Sequence, residues 1–249
     1  MLLKNKVAVI AGDAFGIGQA AAVLFASEGA QVIWIDDKPA AAAADLIRRL
    51  PEARYCQAKL TDSAEIQSAV RECEQTPGQV NILLNVAGRA FKQAFEQTTE
   101  QTWAEMVGRN LTAAFLCSKY FLPLMKKAGS GSIINHASID GFLGNPSVAA
   151  YSAAKGGLIP LTHVMAHDLG KYNIRVNCIS TGGIRSASIA SPVADRPRIA
   201  VTPLQRTGTP AEVAGVALFL ASELSSYVNG ANIVADGGRT GITQGCYDG

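Results

Sequence analysis

Tyr151 and Lys155 stand four apart in Tyr151-Ser152-Ala153-Ala154-Lys155, a spacing that puts both side chains on one face of a helix. A tyrosine ordinarily ionises near pH 10, so holding it partly ionised at neutral pH takes about three pKa units, or roughly 4 kcal/mol. An ammonium some 4 Å away contributes on the order of 4 kcal/mol at an effective dielectric of 20. The pair therefore reads as a proton-transfer couple, with Tyr151 as general acid or base. Ser138 lies 13 residues before Tyr151, at the end of the apolar run Ile133-Ile134-Asn135-His136-Ala137. That is the carboxyl edge of a strand, where α/β sheets bind ligands, and its hydroxyl can polarise a substrate oxygen.

A second cluster sits near the N-terminus. In Gly12-Asp13-Ala14-Phe15-Gly16-Ile17-Gly18 the glycines permit a tight strand-to-helix turn and let backbone N–H groups meet a pyrophosphate. By itself such a run also describes any sharp turn. Asp36 adds context, because it ends the next apolar run 18 residues after Gly18, near the spacing at which a carboxylate meets the adenine ribose hydroxyls. A carboxylate there favours NAD over NADP, whose 2′-phosphate would bring a like charge against it. Asp37 adds to the repulsion, and Lys38 is the counter-signal.

Positioning these groups requires a particular order of elements. Seven strands are expected at Val7 to Ala11, Gln31 to Asp36, Arg54 to Ala58, Asn81 to Val86, Ser132 to Ala137, Ile174 to Ser180 and Asn232 to Ala235. Their cores are apolar runs, as in parallel strands buried on both faces and joined by crossover helices. Helices are expected at Gly16 to Ser27, Ala40 to Leu50, Ser63 to Glu74, Glu100 to Lys127, Ala150 to Lys171 and Pro210 to Leu220. The last opens on a capping box, Thr209-Pro210-Ala211-Glu212. The alternation predicts an α/β fold of three layers, doubly wound around a seven-stranded parallel sheet, with residues 1–249 forming one domain. The proline-bearing stretch from Gly182 to Gly208 is expected to be irregular and to act as a substrate lid.

Composition excludes several functions. The net charge of +2 arises from 22 basic and 20 acidic residues spread along the chain, which provides no field for nucleic acid. No apolar run approaches the roughly 20 residues of a membrane span. The N-terminus passes directly from Lys6 into Val7-Ala8-Val9-Ile10 and carries no signal-peptide pattern. Five separated cysteines, Cys56, Cys73, Cys117, Cys178 and Cys246, read as reduced thiols of a cytoplasmic protein. His163 and His167 have metal-ligand spacing, but Val164 stands where a zinc protease needs its base, so no metal is expected.

The whole constellation resembles the short-chain dehydrogenase/reductase family in its single-domain, 250-residue form. The likeness spans the chain: the glycine turn, Asn85-Val86-Ala87-Gly88, Asn110 in the long helix, Ser138, the Tyr151/Lys155 pair, and Asn229-Gly230 to Asp236-Gly237-Gly238. It implies hydride transfer between a nicotinamide cofactor and a secondary alcohol or ketone. Tyr151 would exchange the proton, Ser138 steady the oxygen, Lys155 also hold the nicotinamide ribose, and Asn110 position a relay water. Gly12, Phe15, Gly16, Ile17, Gly18, Asp36, Leu60, Asn85, Ala87, Gly88, Ile184 and Ser186 would contact the cofactor. Asp140 and Gly183 would join Ser138 and Tyr151 at the substrate. A homotetramer built on the two long helices is implied as well.

Departures from the family pattern are Ala11, Lys59, Val86, Thr181 and Ser186. Lys59 replaces an aspartate that meets adenine, leaving that contact to the backbone of Leu60. Two alternatives compete with an NAD enzyme. An NADP-dependent 3-oxoacyl reductase would need basic residues where Asp36 and Asp37 stand, and a nucleotide-sensing protein on the same fold would need no complete tetrad. Asp140, two residues past Ser138, hints at a polar alcohol such as a polyol or sugar; a solvent-facing turn residue is the other reading.

Overall fold

The computed structural model describes residues 1–13, 16–50, 52–185 and 192–241. Strands β1 (Val7–Ala11), β2 (Gln31–Asp36), β3 (Arg54–Gln57), β4 (Ile82–Asn85), β5 (Gly131–Ser138), β6 (Ile174–Thr181) and β7 (Asn232–Ala235) form a parallel sheet in the order β3-β2-β1-β4-β5-β6-β7. All five residues of β1 are buried, because helices cover both faces. Ala8 and Ile10 belong to the core on one face, with Phe25 and Leu220. Val7 and Val9 belong to that on the other, with Ile66, Phe121 and Ile133.

The covering helices are α1 (Ile17–Ser27), α2 (Ala44–Arg49), α3 (Ser63–Gln75), α4 (Glu100–Val107), α5 (Ala113–Lys127), α6 (Ala149–Gly170), α7 (Pro192–Ala200) and α8 (Pro210–Ala221). The capping box of α8 forms as expected, with Thr209 and Glu212 each satisfying the other's backbone. Polar side chains pin the sheet where strands meet loops. Asn81 accepts from the Val7 N–H at 2.9 Å, and Arg175 donates to the carbonyls of Leu220 at 2.9 Å and Ser222 at 3.2 Å.

Three sequence expectations are corrected. The helix expected from Glu100 to Lys127 is interrupted by a π-turn at Gly108–Thr112; its extra residue turns Asn110 into the protein, where only 2% of it is exposed. The helix expected from Ala40 to Leu50 begins with a 3₁₀ turn, Ala40–Ala43, before α2. The stretch from Gly182 to Gly208 is not irregular throughout, since α7 lies within it. Pro192 sits at the first helical position, which needs no N–H partner, and Pro197 is tolerated inside the helix at the cost of a hydrogen bond.

Candidate active site

β1 and β4 are neighbours whose connections leave toward opposite faces of the sheet, which opens a crevice at their carboxyl ends. Gly12 makes that crevice possible. Its φ is +98°, and a Cβ there would lie 2.5 Å from Ala87 Cα, so only glycine lets the turn after β1 touch the loop after β4. The indole of Trp34 donates to the Gly12 carbonyl at 3.2 Å and fixes the turn from β2. Gly18 lies against the same carbonyl, and a side chain on it would strike that oxygen.

A cleft of about 200 Å³ opens beside this turn. Gly12, Asp36, Leu60, Ala87 and Gly88 line it, all expected cofactor residues. Asp36 ends β2 with 5% of its surface exposed, and one carboxylate oxygen accepts from the Lys38 N–H at 3.1 Å. Four cationic residues share the lining: Lys38, Lys59, Arg89 and Arg109. The Arg109 guanidinium is 3.6 Å from the Asp37 carboxylate, and the Lys38 ammonium is 3.9 Å from it. Their charges offset that of Asp37, so the repulsion expected from it is weakened, and Asp36 carries the negative character of the floor. The residues fit an adenine dinucleotide: a glycine turn open to backbone approach and a buried carboxylate at the next strand's end.

At the other end of the crevice, β5 delivers Ser138 and α6 delivers Tyr151 and Lys155. The Ser138 hydroxyl lies near enough to the Tyr151 phenol to act on it, and Ser138 Oγ accepts from the Asp140 N–H at 3.1 Å. Asp140 is half-buried and takes a bond from the Asn145 amide at 3.1 Å. Lys155 is 2% exposed. Its ammonium donates to the His136 carbonyl at 2.7 Å and lies 5.9 Å from the centre of the Tyr151 ring. Asn110 reaches the site through the π-turn, with its amide nitrogen donating to the carbonyls of Met106 at 3.0 Å and Arg89 at 3.2 Å. Its Oδ1 is buried without a partner among the described residues.

The chain is similar to known proteins over nearly its whole length. The family described as enoyl-(acyl carrier protein) reductase matches residues 11–240. A 2-(S)-hydroxypropyl-CoM dehydrogenase of Xanthobacter autotrophicus is 36% identical over 251 residues, spanning 96% of this chain and 98% of its own. A 3α-hydroxysteroid dehydrogenase of Mediterraneibacter gnavus is 35% identical over 244 residues, spanning 95% and 98%. The crystal structure of levodione reductase superposes with a TM-score of 0.90 at 29% identity, covering 97% of this chain and all of that one (100%). The chain belongs to the short-chain dehydrogenase/reductase family. It is an NAD(P)-dependent oxidoreductase acting on CH–OH groups.

Other residues expected at a short-chain dehydrogenase/reductase site are placed differently. Asn85 turns its amide away from the cleft, donating to Asn135 at 2.9 Å and Ser118 at 3.1 Å, and so braces β4 against β5 and α5. Gly183 and Ile184 line a second cavity, with Leu204 and Gly237. Phe15 and Ser186 lie outside the described residues. His136 and Asp13 were missed in sequence. The His136 ring meets the Thr181 hydroxyl at 3.0 Å across neighbouring strands. Burial, reinforced by Lys155, pushes the His136 imidazole down to about 3, and it is neutral at physiological pH. Among the described residues no three His, Cys, Asp or Glu side chains gather into a metal site.

The electrostatics differ from the simple couple expected of Tyr151 and Lys155. Burial pushes the phenol above its usual value of 10.0, Asp140 pushes it further, and only the Ser138 hydrogen bond opposes them. The ammonium is committed to a carbonyl. Burial pulls it from 10.5 down to about 8, against the attraction of Cys178 and Asp13. A cation whose folded pKa is depressed lowers stability fully below that pKa, here by about 3 kcal/mol, and the penalty fades as pH rises through the window. Lys155→Met is therefore expected to raise the urea midpoint at pH 7, with the gap to wild type closing between about pH 8 and 10.5; paired unfolding curves across that range check it.

Proposed function

We propose that this enzyme is an NAD-dependent dehydrogenase of polar secondary alcohols. The observation carrying the proposal is the meeting of Ser138, Tyr151 and Lys155 at one end of a crevice whose other end holds the buried carboxylate of Asp36. Asp36 suits the two ribose hydroxyls of NAD and repels the 2′-phosphate of NADP. Gly12, Gly16, Ile17 and Gly18 would hold the phosphates, with Leu60, Ala87 and Gly88 along the adenosine half. When bound, the oxidised nicotinamide supplies the hydride acceptor.

Ser138 donates to the carbinol oxygen and orients it toward Tyr151, which removes the hydroxyl proton as the carbon gives up hydride. Lys155 holds the nicotinamide ribose and keeps positive charge beside the phenolate. Asn110, with a buried acceptor free among the described residues, holds a relay water through which Tyr151 returns its proton to solvent. Asp140 and Asn145 give the substrate side a hydrogen-bonding pair suited to a hydroxyl-rich substrate. The segment 182–208 serves as the lid of this single-domain enzyme: Gly183 packs so closely against Arg198 of α7 that a Cβ would lie 3.0 Å from its Cδ.

A homotetramer accords with the apolar side chains left exposed on the long helices, Phe115 on α5 at 44% and Val164 on α6 at 58%. Sedimentation at micromolar concentration should show four chains; a monomer alone would remove that part of the proposal.

Kinetics test the rest. With a panel of polyols, sugars and secondary alcohols, kcat/KM should be higher with NAD than with NADP, and Asp36→Ala should shrink the ratio at least tenfold. Tyr151→Phe should lower kcat by a factor of at least 100. Asp140→Asn removes a charge that raises the Tyr151 pKa, so the rise of oxidation rate with pH should move to lower pH. An unchanged or alkaline-shifted profile would show that Asp140 does not act on the phenol.

A further inference from the structure

We propose that Asp13 competes with the cofactor: its carboxylate takes a backbone donor at the start of α1 that a dinucleotide's phosphates require, and so sets the affinity for dinucleotide. The inference rests on the assignment of the glycine turn to the phosphates, and three observations carry it. Asp13 holds a φ of +57°, a left-handed conformation that a non-glycine residue adopts at a cost unless its surroundings repay it. Its Oδ2 accepts from the Gly18 N–H at 3.3 Å, and the Ile17 N–H lies near enough to act electrostatically on the same carboxylate. A Cβ on Gly16 would lie 2.6 and 2.8 Å from the two carboxylate oxygens, so Gly16 leaves the space that they fill.

These donors open α1, where Gly16 provides no side-chain cap and the first turn holds no acidic residue. The helix therefore presents unpaired N–H groups and the positive end of its dipole, the feature that receives a pyrophosphate in this type of turn. Here a carboxylate from the turn already takes the Gly18 N–H. Lys155, whose charge acts on Asp13 from α6, is the cation across the crevice. For a dinucleotide to bind, Asp13 must surrender the Gly18 N–H and then stand beside a second anion. Both requirements weaken binding; removing the side chain abolishes both, and removing its charge abolishes the second and weakens the first, since an amide oxygen is a poorer acceptor than a carboxylate.

The test uses the full chain and its Asp13→Asn and Asp13→Gly variants, two residues that tolerate the left-handed backbone. Calorimetric titration with NADH and ADP is expected to give Kd values roughly tenfold lower in both variants, about 1.4 kcal/mol. Affinity for adenosine, which carries no phosphate, should be unchanged, and the thermal midpoint of the unliganded variants should fall. That opposition separates competition from a structural role, which would lower stability and affinity together. NADH binding in wild type with equal or weaker binding in both variants overturns the proposal while leaving the cofactor assignment standing. An equal gain for adenosine overturns it as well. Failure of all three chains to bind NADH or ADP would remove the cofactor assignment and this proposal with it.

Discussion

The near-contact of two backbones, at Gly12 after β1 and Ala87 after β4, is the constraint on which the crevice depends. Strands that are adjacent but lead to opposite faces of the sheet must part at their carboxyl ends, and the opening is useful only if the two loops pack without side chains between them. Gly12 satisfies this with a positive φ and no Cβ, Trp34 holds its carbonyl, and Val86 packs beneath the start of α1. Every other feature of the site is measured from this corner. The cleft with Asp36 lies to one side, and the corner formed by β5 and α6 lies to the other.

Charge placement then separates the two ends. Asp36, Asp13 and Asp140 are each restrained by hydrogen bonds from the chain. The buried ammonium of Lys155 is the cation common to the crevice, tethered to the His136 carbonyl. Burial holds the phenol of Tyr151 above its usual value and Asp140 adds to it, while Ser138 acts in the opposite sense.

Much of the architecture was legible in the sequence, for definite reasons. Apolar runs such as Val7 to Ala11 can satisfy two buried faces only in a parallel sheet between helices, and the expected strands differ from the observed ones by no more than a residue at either end. Thr209 and Glu212 announced the start of α8 because capping is a local exchange between residues three apart. The π-turn at Gly108–Thr112 was not legible, because its extra residue leaves the helical pattern nearly unbroken and is stabilised by the packing of Asn110 on Met106, Arg89 and Gly88. The helix α7 was hidden by prolines whose effect depends on their position within the turn.

By itself, then, the sequence determined the family, the sheet and some of the residues gathered at the crevice, Gly12 and Asp36 among them, since these follow from spacing, periodicity and turn chemistry within short stretches. Only the tertiary structure decided what those residues do to one another. It gave Asn85 to the bracing of strands, offset Asp37 with Arg109, paired His136 with Thr181, and set the carboxylate of Asp13 on the donors of α1. The physical reason is that hydrogen bonds and charges act over a few ångströms in space, between groups that the chain separates by tens of residues. Burial, which governs the strength of each such interaction, exists only once the chain has folded.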